Sequence, residues 1–271
     1  MTVASPMMKK MSLELGGKNA ALVFADAKLE VAVQTLIRGA FMNQGEICLC
    51  TSRIYVQDSI YDAFVKRFVE IAKTLKVGDP TDPQTFYGAM NSKVHLDKVI
   101  SYGELAKVEG GKIHCGFGMD QSMELPEKYK GGYFFPPTVV TDLPKDARCM
   151  KEEIFGPIVC IAKFSTEQEA IELANDVEYG LCASGITLIN FPIVWNLSIT
   201  FLTYLVWSEN VTTIHRVSAE LDVGTVWNNC WLVRSLDMPF GGFKQSGVAK
   251  EGIKHSMDTF TNEKTVCIKI R

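Results

Sequence analysis

The chain has 271 residues, 47% hydrophobic and 22% charged, with a formal net charge of −3 and an isoelectric point near 5.9. That is enough chain for one large α/β domain or two small ones. A slightly acidic chain with no Lys/Arg cluster beyond two or three residues gives no footprint for nucleic acid. The eight cysteines are too sparse for a disulfide scaffold and lie mostly inside apolar runs, which suits reduced thiols in a cytoplasmic protein. The first residues, MTVASPMMKKMSLELGG, contain no apolar core long enough for a signal peptide.

In chain order, 20–24 is a short apolar run that predicts a strand, with Asp26 as N-cap of the helix that follows. Leu29, Val33, Leu36, Ile37, Ala40 and Phe41 recur at helical spacing. That helix is expected to end near 43–45, where Gly45 suits a left-handed position. A β-rich run, 53–57, comes next. Ile60, Phe64, Phe68, Ile71 and Leu75 mark a second helix, and 78–83 (GDPTDP) a loop. A helix over 93–109, a strand over 112–115 and an extended segment over 133–140, broken by Pro136 and Pro137, complete the first half. Then come a buried strand at 158–164, helices at 166–176 and 211–221, a strand at 224–227 and a terminal strand at 265–270. Strands alternating with amphipathic helices predict an α/β fold, a parallel, Rossmann-like sheet with helices on both faces. Residues 182–208 carry no charge, which by length alone makes them a transmembrane candidate.

The chemistry-bearing residues concentrate at FMNQGEICLCTSR, 41–53, where Cys48 and Cys50 stand one residue apart. Zinc ligand pairs usually have two to four residues between them, no second pair matches, and the four histidines are scattered, so no metal is expected. A redox pair favours two intervening residues. No phosphate loop or full dinucleotide glycine motif follows a strand. There remains a single activated thiol, which needs a base nearby. Glu14, an acid between Leu13 and Leu15, is either a satisfied carboxylate or a general base held in a poorly solvated place.

LELGGKN (13–19), with Glu14, and FMNQGEIC (41–48), whose Cys48 follows 34 residues later, resemble the two active-site signatures of the NAD(P)-dependent aldehyde dehydrogenases. EEIFGP (152–157), NDVEYGL (175–181), GTVWNN (224–229) and PFGGFKQSG (239–247) continue the resemblance in order. It implies Cys48 as nucleophile and Glu14 as the base that activates the hydrolytic water. It also implies Glu251 as a proton relay, Leu15, Glu153 and Phe155 as contacts of NAD, and Cys50 as a bystander. EICLCTSR and NCWLVRSLDMPFGG (229–242) are similar to the muconic-semialdehyde branch, which implies a carboxylate-bearing semialdehyde substrate such as 2-aminomuconate semialdehyde. Arg234 would then pair with the substrate carboxylate. Dimer or tetramer assembly follows from the terminal strand, which resembles the family's subunit-pairing strand.

The chain departs from the family in two places. It begins just before LELGGKN, so the family's first half, with most of the cofactor domain and a side-chain oxyanion donor, has no counterpart in it. The expected organisation is 1–16 as a remnant of that domain, 17–258 as catalytic domain and 259–271 as oligomerisation tail. Residues 185–205, 21 in all, interrupt the family's pattern, which is restored when they are removed. Pro192 and Asn196 in mid-run and flanks without clustered Lys/Arg argue for an insertion over a membrane span. The alternative to an enzyme is a catalytically silent fragment acting as an interaction subunit. Ala249, in SGVAKEG, stands where the family usually has glycine.

Overall fold

Apolar runs far apart in the chain become neighbours in one seven-stranded sheet. The computed structural model describes residues 1–119, 123, 125, 127–185 and 208–270. Its main strands are β1 (Asn19–Val23), β2 (Thr51–Gln57), β3 (Lys112–Cys115), β4 (Thr138–Thr141), β5 (Ile158–Phe164), β6 (Cys182–Gly185) and β7 (Thr225–Asn228). Their order across the sheet is β3-β4-β5-β2-β1-β6-β7. Every neighbouring pair is parallel except β3 with β4 at one edge. Parallel pairs need crossover connections, and the helices supply them: α1 (Leu29–Phe41), α2 (Tyr61–Ala72), α3 (Lys93–Val108), α4 (Glu167–Asn175) and α5 (Val211–Glu220), followed by α6 (Ile253–Phe260) near the C-terminal end.

Side chains alternate across a strand, and here both faces are apolar. Ala21 and Val23 of β1, with Ile54, Val56, Val159 and Ile161, pack under Leu36 and Phe41 of α1 and Phe64 and Phe68 of α2. Ala20 and Leu22 face the other way, with Ile158 and Cys160, onto Val99 of α3, Ala170 of α4 and Val217 of α5. Phe64 stacks on Phe68 with centroids 5.7 Å apart. Burying each such ring contributes about 1.5–3 kcal/mol.

Several sequence expectations need correction. Asp26 does not cap α1, whose N-cap is Lys28 with no side-chain bond. Asp26 sits two residues too early; its carboxylate instead accepts from the Ser208 hydroxyl at 2.7 Å and from Glu209 N–H at 3.0 Å, fastening the lead into α5. The extended segment forms a strand only after its prolines, at Thr138–Thr141, because proline donates nothing to a ladder. Residues 265–270 belong to none of the sheets, and Val266, Ile268 and Ile270 are exposed. A strand is made by its partner, and no described segment of this chain lies alongside them. The helix α6, none of whose residues is buried, is an addition to the expected elements. Most of the uncharged block, 186–207, lies outside the described residues. Gly185, assigned to it, completes β6 opposite Asn228. No described helix is long and apolar enough to cross a membrane.

Candidate active site

Segments that enter β1, β2 and β5 meet at one edge of the sheet, the edge where those parallel strands begin. Open α/β sheets more often place ligands at the opposite edge, where strands end.

The Cys48 loop begins where α1 stops. Asn43, Gln44 and Gly45 take left-handed backbone in succession, with φ of 51°, 47° and 74°. Gly45 is required there: a Cβ would stand 2.5 Å from the Gly156 carbonyl oxygen. Cys48 then lies in a turn closed by Cys50 N–H donating to Ile47 O at 2.8 Å. Asn19 of β1 fixes this turn. Its amide nitrogen donates to the carbonyls of Cys48 at 2.7 Å and Cys50 at 2.9 Å, while its oxygen accepts from Cys182 N–H at 3.2 Å. Cys50 is buried, its thiol turned to Met42 O at 3.7 Å and pushed up to about 12 by burial. It is a packing residue. Cys48 is half-buried and has the more open thiol of the two.

Glu14 lies in a two-residue strand, Leu13–Glu14, antiparallel to Gly247–Val248, and the next N–H, of Leu15, donates to Ser246 O at 2.9 Å. Glu14 is exposed, which corrects the expectation of a poorly solvated place: so short a strand at the margin cannot bury both faces. Its carboxyl is nonetheless held above the usual range, first by the protein that displaces water around it and then by Glu251; Arg234 and Lys250 oppose the shift. Leu15 is half exposed.

Glu153 and Phe155 lie in the loop that enters β5. Glu153 Oε1 accepts from Gly17 N–H at 2.8 Å; a Cβ on Gly16 would collide with the same carboxylate, and one on Gly17 would stand 2.9 Å from Asn19 Oδ1. Phe155 is left-handed, φ 60°. Glu153, Phe155, Gly45 and Cys48 line one small cavity. The Arg234 guanidinium stacks 3.8 Å from the ring centre of buried Phe240. Phe240 and Glu251 exchange backbone hydrogen bonds of 2.9 and 2.6 Å. Arg234, Phe240 and Glu251 line an open cleft of about 400 Å³.

Cys48, Glu14, Glu153 and Arg234 thus share one electrostatic neighbourhood. Burial, then Glu14, then Glu153 push the Cys48 thiol above its usual range, and its own backbone N–H and Arg234 pull it down. Of the residues expected at the site, Glu14, Glu153 and Arg234 stand close enough to Cys48 to shift its thiol, Glu251 acts on Glu14, and Phe155 lines the small cavity with Cys48 and Glu153, whereas Leu15 is placed only by its neighbour Glu14. Sequence reading missed Asn19, Glu46, His95 and Lys18. Asn19 and Lys18 stand inside the LELGGKN motif, and only their burial, visible in the fold, separates them from loop residues. Among the described residues no group of three or more His, Cys, Asp or Glu is arranged to hold a metal ion.

The model of the aldehyde dehydrogenase family matches residues 1–188 and 194–266, and the break falls inside the uncharged block. The chain is 50% identical over 269 residues to 2-aminomuconic semialdehyde dehydrogenase of Bos taurus, covering 99% of this chain and 51% of that protein. It is 40% identical over 270 residues to 2-hydroxymuconic semialdehyde dehydrogenase of Pseudomonas putida, again 51% of its length. The chain therefore spans about half the length of the curated relatives it matches. Betaine aldehyde dehydrogenase of Staphylococcus aureus, solved with NAD+, superposes with a TM-score of 0.83 at 36% identity over 96% of this chain and 46% of that one.

Proposed function

The chain belongs to the aldehyde dehydrogenase family, and we propose from that premise that it carries the thiol half of an NAD-dependent oxidation of a carboxylate-bearing semialdehyde, such as 2-aminomuconate semialdehyde. The observation that carries the reading is the grouping of Cys48, Glu14, Glu153 and Arg234 around one half-buried thiol. As thiolate, Cys48 adds to the aldehyde carbon and forms a tetrahedral thiohemiacetal. Arg234, braced on Phe240, presents a planar fork suited to the carboxylate at the far end of the substrate. Glu14, with its carboxyl held above the usual range, is suited to take a proton from the water that hydrolyses the Cys48 thioester. Glu251, whose charge raises the Glu14 pKa, would pass that proton on.

The residues present fit the nicotinamide end of NAD. Glu153 offers a carboxylate acceptor for ribose hydroxyls, while Phe155 and half-exposed Leu15 offer apolar surface. When bound, NAD supplies the hydride acceptor for the oxidation. The exposed, alternating Val266, Ile268 and Ile270 favour strand pairing with a second subunit, and we extend the reading to a homo-oligomer on that ground. Eight free thiols suit a reducing, cytoplasmic setting.

Protection of Cys48 from iodoacetamide tests the thiol reading without turnover. Succinic semialdehyde is expected to slow alkylation of Cys48 about tenfold more effectively than propanal, a difference worth one charge-assisted pair. Arg234→Leu is expected to abolish the difference. Equal protection by both aldehydes in the native chain would remove the carboxylate specificity, and no protection by either would remove the nucleophile.

A further inference from the structure

One contact between the two loops of the site is used neither by the thiol chemistry nor by the cofactor residues. Glu46, two residues before Cys48, has 6% of its side chain exposed, and His95, on the first turn of α3, has 14%. Glu46 Oε1 lies 3.3 Å from His95 Nε2 and accepts from Asn91 N–H at 3.3 Å, while Oε2 accepts from the Gln44 amide at 2.8 Å. The same His95 Nε2 lies 2.6 Å from the carbonyl oxygen of Phe155. The Phe155 carbonyl can only accept, so the hydrogen sits on that nitrogen and is donated to Phe155 O, while the Glu46 carboxylate stands in close electrostatic contact with the same ring. The imidazole also stands edge-on to the Phe155 ring, centroids 5.8 Å apart. Its own backbone is seated by the Ser92 N-cap, whose hydroxyl accepts from His95 N–H at 3.2 Å.

Both loops need such a fastening. Asn43 and Gln44 on one side and Phe155 on the other are non-glycine residues with left-handed backbone, a conformation that persists only where the surroundings over-determine it. The loops press together through Gly45 and Gly156. The cavity they enclose beside Cys48 has a volume of about 20 Å³, room for about one water. The spacing of the loops therefore sets the size of the cavity beside the thiol.

We propose that His95 and Glu46 form a clamp that holds the Cys48 loop against the Phe155 loop, His95 being a positioning residue that fixes the setting and access of the thiol. The proposal rests on the reading of Cys48 as nucleophile. The test labels the purified chain with N-ethylmaleimide at neutral pH and reads each cysteine by peptide mass spectrometry, with exposed Cys267 as internal reference. His95→Phe keeps the ring volume against Phe155 and removes the donor; His95→Gln keeps an N–H at similar reach. His95→Phe is expected to raise the Cys48 rate relative to Cys267 about fivefold, and His95→Gln to stay within about twofold of native, the scale of a lost contact of about 1 kcal/mol. Glu46→Ala, which removes the carboxylate facing the ring, is expected to act in the same direction and serves if His95→Phe does not fold. A Cys48 rate unchanged in the folded variants, or a Gln variant as fast as Phe, overturns the clamp. A native chain in which Cys48 reacts no faster than the buried thiols overturns instead the nucleophile reading beneath it.

Discussion

A nucleophilic cysteine is usually thought of as a thiol with a depressed pKa, yet Cys48 is held the other way. Two carboxylates and partial burial outweigh Arg234 and a backbone N–H. The thiolate fraction at neutral pH is therefore low, and alkylation of Cys48 is expected to keep rising with pH beyond the point where an ordinary thiol levels off. Glu14→Gln removes the larger of the two opposing charges, and it is expected to lower the thiol pKa and speed alkylation at slightly alkaline pH. A rate profile against pH that superposes on the native one would show that Glu14 does not reach the thiol. The same substitution removes the proposed base, so faster capture of the thiol and loss of hydrolysis are expected in one variant.

At the scale of elements, the site depends on loops with unusual backbone more than on the sheet beneath. Gly45 combines φ 74° with a forbidden Cβ contact to Gly156 O. Gly45→Ala is expected to cost about 2–4 kcal/mol, summing left-handed strain and displacement of the facing loop, and to lower the urea midpoint correspondingly; a shift within the noise of the measurement would mean that the loops can part freely. The helices and the buried strands were legible because periodicity and burial coincide: Phe64 and Phe68 announce α2, and the run at 158–164 matches β5 to the residue. Cys48, Glu14, Glu153 and Phe155 were legible from their motifs. What was not legible is held by partners distant in sequence. His95 is a polar residue on a helix with little amphipathic pattern, and nothing before folding ties it to Glu46, 49 positions earlier. Asp26 had the chemistry of an N-cap but was claimed by Ser208 across 182 residues.

Across the whole molecule, the interior behind the site is positively charged. Arg53 is buried and uses all its N–H groups on neutral oxygens: the carbonyls of Lys18, Leu173 and Ala174 and the Tyr55 hydroxyl. Lys18, 1% exposed, has no hydrogen-bond partner for its ammonium among the described residues. Burial, with Arg53 adding to it, lowers its pKa from 10.5 to about 8. A base whose folded pKa is depressed destabilises the fold wherever it is charged in the unfolded chain. The penalty is absent above the unfolded pKa, grows as pH falls from 10.5 to about 8 and is complete at pH 7. Lys18→Met, of similar length and apolar, is expected to raise stability at neutral pH by up to about 3 kcal/mol, converting the shift at 1.36 kcal/mol per unit. The gain should shrink as pH rises through that window. Calorimetry at neutral and strongly alkaline pH checks the sign; a destabilised variant at neutral pH would mean that the ammonium is held by a partner outside the described residues.

The placement of the site at the edge where strands begin has a further consequence. In a parallel α/β sheet the crossover helices run back toward that edge, so α1, α4 and α5 bring their C-terminal ends, carrying partial negative charge, to the side of Cys48. Their amide-rich N-termini, the usual cradle for phosphates and other anions, lie on the opposite side. Attraction for an anionic substrate at the mouth must then come from side-chain cations, Arg234 foremost. Such attraction is screened by dissolved ions where a helix-end cradle in close contact is not. Discrimination for a carboxylate at this site should therefore fade as ionic strength rises, while the fastening of the thiol turn by Asn19 is untouched.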